Sequence, residues 1–178
     1  VAVFAPGTER PLPAGTEGEI CIAGPSVMKG YAPPREYADG PCLRHGWLRT
    51  GDLGRLDDDG YLSVTGRLKD LIIRGGENLS PGRIEEAIMR FPALRACCVV
   101  GAPHPDLGEV PVAFVVASDG RAVAETAIQD HVAAELPRTY VPARIIVLDA
   151  LPENAIGKID RQALKQMASK AWIVIRGS

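Results

Sequence analysis

A chain of 178 residues has room for one ordinary domain or two small ones. With 46% apolar and 24% charged residues, its composition is that of a globular protein. Twenty Lys and Arg against 22 Asp and Glu leave a net charge of −2, which argues against the clustered positive field that nucleic acid or an acidic membrane rewards. No apolar run approaches the roughly 20 residues a membrane helix needs, and the longest, 96–102 and 110–117, are strand-sized.

The first third reads as strands and turns. Pro6-Gly7, Pro11, Pro13 and Gly15 punctuate its start, and Glu19-Ile20-Cys21-Ile22 alternates as a half-buried strand does. Residues 25–41 are rich in Gly and Pro and read as loop. Asp57-Asp58-Asp59-Gly60 is a strong turn, followed by alternation at Tyr61-Leu62-Ser63-Val64. After Arg67 the texture changes. Leu71-Ile72-Ile73 is a short apolar run ending at Gly75-Gly76. Ser80-Pro81 then opens a helix, because Ser can cap free N–H groups and Pro is tolerated at the first helical position. Ile84, Ala87, Ile88 and Phe91 give that helix one apolar face, and Pro92 stops it. Strands follow near 96–100 and 112–116. A second helix spans 123–135 with Ile128, Val132 and Leu136 on one side. A strand near 144–148 and a last helix from Arg161, with Leu164, Met167 and Ala168 facing inward, complete the set. This order predicts an α+β fold with helices on a sheet.

Cys21, Cys42, Cys97 and Cys98 form no C-x-x-C pair and read as buried or free thiols. His45, His104 and His131 are widely separated, so no metal-ligand spacing is expected. The chain begins with Val and ends with Gly177-Ser178, and both ends permit a piece of a longer chain.

Four segments carry candidate chemistry. In Trp47-Leu48-Arg49-Thr50-Gly51-Asp52-Leu53, a carboxylate after Gly on a turn can accept two hydrogen bonds, as a ribose diol would donate, or can simply cap the turn. In Gly66-Arg67-Leu68-Lys69-Asp70, Arg67 could bind phosphate or ribose oxygens, while Lys69 and Asp70 could equally be solvated charges. In Arg74-Gly75-Gly76-Glu77-Asn78, paired glycines allow close approach of a ligand, act as a hinge, or turn a hairpin. In Leu151-Pro152-Glu153-Asn154-Ala155-Ile156-Gly157-Lys158-Ile159-Asp160-Arg161, Lys158 is a flexible point charge on a loop. It can meet oxygens that gain charge during adenylyl transfer, or face solvent.

Together these segments resemble the adenylate-forming superfamily of acyl-CoA synthetases, luciferases and peptide-synthetase adenylation domains. Gly18-Glu19-Ile20-Cys21-Ile22-Ala23-Gly24 with Gly30-Tyr31, and Leu136-Pro137-Arg138-Thr139-Tyr140-Val141-Pro142, add to the likeness, which covers roughly residues 1–165. The resemblance implies a strand-rich, distorted barrel-like subdomain of the large AMP-binding domain at 1–69. A mobile α+β domain with a central sheet and about three helices would follow at 70–170, with a tail at 171–178. It implies ATP/AMP and CoA as ligands, Mg²⁺ in the parent enzyme, a carboxylic acid substrate and a cytoplasmic location. By motif position, Asp52 would hold the AMP ribose and Arg67 the nucleotide. Lys69 would be the hinge, Gly75 and Gly76 would lie against CoA pantetheine, and Lys158 would be the adenylation lysine.

Ile72-Ile73-Arg74-Gly75-Gly76-Glu77-Asn78 looks like bacterial acyl- and aryl-CoA ligases, so CoA is the expected acceptor rather than a carrier protein. Ile73 stands where luciferases and plant coumarate ligases often have a second lysine. No Ser/Thr/Gly-rich loop ending in Pro-Lys-Gly occurs, and no aromatic-Gly-x-Thr-Glu motif. The expectation is therefore the trailing part of a ligase, inactive in adenylation by itself and open to self-association through the face an upstream domain would cover. A non-catalytic nucleotide-binding module is the competing reading.

Overall fold

The computed structural model describes residues 1–28, 43–44, 46–118 and 123–176. Gly30-Tyr31, Cys42, His45 and Gly177-Ser178 lie outside them. Among the described residues the architecture is α+β, with two sheets and three α-helices, and the chain divides into units Val1–Lys69 and Asp70–Ser178.

The first unit holds strands β1 (Ala2–Phe4), β2 (Gly18–Ile22), β3 (Leu43–Arg44), β4 (Trp47–Leu56) and β5 (Leu62–Arg67). Antiparallel pairing runs β1-β2-β4, with β3 and β5 also on β4. Among the described residues no ladder joins β1 to β3 or β5, so the expected barrel-like closure is not seen in them. Val3, Phe4, Ile20, Cys21 and Leu53 make the core, and Phe4 meets Trp47 edge-on at 5.2 Å between centroids. Alternation placed Glu19 on an exposed face, but it is 4% exposed. Arg49 on β4 supplies the reason: its guanidinium donates to the Glu19 carboxylate and to the Thr8 carbonyl. Gly54 is obligatory here, since a Cβ would sit 2.6 Å from the Ser63 carbonyl oxygen.

The second unit begins with a short hairpin, β6 (Ile72–Arg74) and β7 (Glu77–Leu79), then helix α1 (Pro81–Met89). Long strands β8 (Leu94–His104) and β9 (Gly108–Ala117) pair antiparallel over most of their length. Helix α2 (Glu125–Glu135), strand β10 (Arg144–Val147) and helix α3 (Arg161–Arg176) follow. β10 runs parallel to β9, and β6 touches β9 at Arg74↔Gly108.

This sheet is covered on both faces, which the expectation of helices on one sheet left open. Alternate residues divide cleanly. Val99, Ala113 and Val115 pack with Ile84, Ala87 and Ile88 of α1 and with Ile128 and Val132 of α2. Cys98, Val100, Val112 and Phe114 pack on the opposite face with Leu164 and Ala168 of α3. Met167, expected to face inward, is exposed, because Leu164 and Ala168 at i, i+4 already fill the stripe. No helix among the described residues is long and apolar enough to cross a membrane.

Candidate functional site

In the first unit, Asp52 and Arg67 are brought face to face. They are register partners on β4 and β5, and Arg67 Nε donates to Asp52 Oδ1 at 3.0 Å. The approach depends on an irregularity in β4. Glu19 pairs with Leu53 and Cys21 with Arg49, so extra residues of β4 bulge between them. Gly51 takes φ +73 at that bulge. The Thr50 hydroxyl closes it, donating to the Ile20 carbonyl at 2.8 Å and accepting from the Asp52 N–H at 3.0 Å. Both partners are substantially solvated, with Arg67 59% and Asp52 36% exposed. Such a pair contributes about 0–1 kcal/mol to stability. Its carboxylate retains acceptor capacity beyond the one guanidinium, so it can also receive hydroxyl donors. Lys69 is exposed in a single 3-10 turn, Leu68–Asp70, where the first unit ends and the second begins.

In the second unit, Gly75 and Gly76 form the turn between β6 and β7, at φ +57 and +85. This is where the paired glycines are needed, because both residues adopt left-handed backbone. The Gly75 N–H donates to the Leu107 carbonyl at 2.7 Å, which seats the turn against the β8–β9 connection. Both glycines are solvent-exposed, with open space around Gly76.

Lys158 sits on an exposed loop whose shape is set by Asn154. The Asn154 Oδ1 accepts the N–H groups of Ile156 at 3.1 Å and Lys158 at 3.0 Å. Its own N–H donates to the Lys158 carbonyl at 2.8 Å, and Gly157 takes φ +73 in the turn. Asp160 then caps α3, accepting the N–H groups of Gln162 and Ala163, each at 3.0 Å. The backbone around Lys158 is thus fixed at both ends, while among the described residues no ion pair engages its ammonium.

Three residues on, Arg161 anchors the loop to the sheet. It donates to Glu85 of α1 at 2.8 Å and to the Val99 carbonyl at 3.0 Å, while the Val99 N–H donates to the same Glu85 oxygen at 2.8 Å. Burial works to lower the Arg161 pKa, and nearby acidic groups, Glu85 foremost, together more than offset it, so the guanidinium is held above its ordinary value. Sequence reasoning gave Glu85, Asn154 and Arg161 no role. The Asn-x-x-Gly spacing at 154–157 was the available signal for the turn, whereas nothing local links Glu85 to Arg161.

The adjacent thiols do not extend this site. Burial first, then nearby Glu85, raises Cys97 well above the ordinary thiol range; burial likewise pushes Cys98 up to about 12. A folded pKa above the unfolded value near 9.0 stabilises the fold fully below pH 9, and that contribution is lost as pH rises toward 12. At pH 8 the Cys98 thiolate fraction is roughly one in ten thousand. Peptide mapping after iodoacetamide treatment at pH 8 should therefore find Cys98 alkylated only when denaturant is present, with the half-buried Cys97 reacting slowly in the folded chain. Rapid labelling of Cys98 in the folded chain would contradict its burial.

Residues 83–158 match the AMP-binding enzyme C-terminal domain. A 2-succinylbenzoate–CoA ligase of Bacillus cereus is 44% identical over 159 residues, covering 89% of this chain and 32% of the relative. ATP-bound MatB of Rhodopseudomonas palustris superposes with a TM-score of 0.85 at 36% identity, covering 93% of this chain and 33% of that one. The amide bond synthetase McbA of Marinactinospora thermotolerans gives 0.85 at 34% identity, covering 95% and 34%. The chain thus spans about a third of the length of these proteins.

Proposed function

We propose, from the premise that this chain belongs to the adenylate-forming acyl-CoA synthetases and carries their C-terminal domain, that it serves an AMP-forming acid–CoA ligase. The carboxylate of an organic acid attacks the α-phosphorus of ATP; the new bond is acyl–O–P, and pyrophosphate leaves. The thiol sulfur of CoA then attacks the acyl carbonyl carbon. A C–S bond forms, the C–O bond to phosphate breaks, AMP leaves and the thiol proton goes to solvent.

In this reading residues 1–69 are the strand-rich distal part of the larger AMP-binding domain, 70–170 the mobile domain and 171–178 a tail. Asp52 accepts the ribose hydroxyls, with Arg67 beside it on the nucleotide. Lys69 is the hinge, and the Gly75-Gly76 turn offers backbone to the pantetheine arm. The Lys158 ammonium meets the charge that develops on the reacting carboxylate and α-phosphate oxygens. Mg²⁺ would shield the triphosphate when bound. Among the described residues no cluster of three or more His, Cys, Asp or Glu offers it a seat. The protein is expected to be cytoplasmic.

The observation that carries the proposal is the Asp52–Arg67 pair and the exposed, backbone-fixed Lys158 in a chain whose relatives include CoA ligases. The test is a panel of carboxylic acids with ATP and CoA, supplied to the full-length protein, with acyl-CoA and AMP followed by mass spectrometry. Coupled appearance of both is expected; AMP without thioester under any acid would overturn the CoA assignment. The 178-residue chain alone should give no ATP–pyrophosphate exchange. The likeness to an amide bond synthetase favours one second reading, in which an amine replaces the thiol. Amide product with CoA absent would support it.

A further inference from the structure

The glycine turn is carried by a hairpin of two three-residue strands, a size that does not hold its own position in water. Its register with the rest of the sheet is a single pair, Arg74↔Gly108. Ile72 and Leu79 bury its inner side in the core, and a carboxylate ties its edge to β9. Glu109, at the start of β9, accepts the Ile73 N–H at 3.1 Å. That bond takes the place of the next rung in the ladder between β6 and β9, two residues before the Gly75–Leu107 bond.

Two glycines make room for this arrangement. A Cβ on Gly101 of β8 would lie 2.8 Å from the Glu109 carboxyl carbon and from Oε2, and 2.9 Å from Oε1. Any side chain at 101 therefore forces the carboxylate to shift from this position. Gly108 takes φ +77, and a Cβ there would lie 3.1 Å from the Ile73 carbonyl oxygen. Three strands thus converge on one bond: β8 gives the space, β9 the acceptor and β6 the donor.

We propose that Glu109 is a positioning residue for the Gly75-Gly76 turn, with Gly101 as its seat. This rests on the reading that the turn faces the thiol substrate, and it assigns Glu109 to the thioester-forming half-reaction. A carboxylate–amide bond is among the stronger hydrogen bonds a protein makes. Without it the hairpin is tied to β9 only through the Arg74↔Gly108 pair and its turn, and the backbone proposed to meet pantetheine is held less firmly.

The test uses the full-length protein and measures the two half-reactions apart: pyrophosphate release without CoA, and thioester formation from supplied acyl-adenylate and CoA. Glu109→Ala is expected to lower the ratio of the second rate to the first about tenfold. Glu109→Gln keeps a carbonyl acceptor and should restore most of it. Gly101→Ala should reproduce the alanine phenotype with Glu109 still present. Hydrogen exchange at the Ile73 amide should quicken in Glu109→Ala and in Gly101→Ala, and not in Glu109→Gln. An unchanged ratio in Glu109→Ala, or an equal fall in both half-reactions, overturns the positioning role while leaving the ligase assignment intact. A wild-type protein that makes no thioester from acyl-adenylate overturns the ligase assignment and this role with it.

Discussion

Lys158→Ala is expected to lower acyl-adenylate formation in the full-length protein by about 10²–10³-fold, the loss typical of removing one preorganised donor at a developing anion. The fold should be nearly untouched. Lys158 is exposed and its ammonium is in no ion pair among the described residues, so its removal belongs with surface substitutions worth within about 0.5 kcal/mol. The loop keeps its shape because Asn154 and Gly157 set it by backbone bonds that do not involve the Lys158 side chain. Thioester formation from supplied acyl-adenylate should continue, because the oxygen charge that Lys158 meets has already been resolved at that stage. Lys158→Arg should rescue poorly, since a planar fork does not reproduce a compact point charge. ATP–pyrophosphate exchange, single-turnover thioester formation and a thermal melt separate these outcomes. Equal loss of both half-reactions would count against the assigned role.

The second large effect is on stability. Glu85→Ala leaves the Arg161 guanidinium and the Val99 N–H without their shared acceptor. Breaking a fully buried pair by removing one partner costs about 3–5 kcal/mol. Here Arg161 is 34% and Glu85 21% exposed, so screening reduces the expectation to about 2–3 kcal/mol. For a unit of this size that lowers the melting temperature by roughly 10–20 °C. The double variant Glu85→Ala with Arg161→Ala should lose less than the sum of the single losses, because the stranded charge goes with its partner. Urea unfolding of all three variants gives the cycle. A single-variant loss under about 0.5 kcal/mol would show that the bridge is not a structural support.

Much of the local structure was legible because it obeys local rules. Ser80-Pro81 does open a helix, and Ile84, Ala87 and Ile88 do form its buried stripe. Ser80 nonetheless makes no side-chain cap bond, and its hydroxyl is buried without a partner among the described residues. The Asp57–Gly60 turn forms as its residues demand, with Asp57 Oδ1 accepting from Asp59 and Tyr61. Tyr61 and Val64 on the following alternating segment are both exposed, since among the described residues β5 pairs only with β4.

What the residues alone could not yield is long-range. Glu19 read as a polar strand position until Arg49, thirty residues away, appeared beside it. Glu85 and Arg161 are 76 residues apart, and Ile73 and Glu109 are 36. Periodicity reports which face a side chain takes, not which partner waits there. Asp52 and Arg67 were each singled out separately; their pairing follows from a bulge that neither motif encodes.

The Glu85–Arg161 bridge has a consequence beyond the domain it stabilises. Among the described strands β8 pairs only with β9, so its outer margin is a free sheet edge, the place where one protein chain can template another. At Val99, in the middle of an apolar stretch, the outward N–H and carbonyl are both occupied by two charged side chains from different helices. A carboxylate and a guanidinium stand where an invading strand's backbone would bind. The same two residues that hold the lysine loop in place thereby guard an apolar edge strand against pairing with another chain.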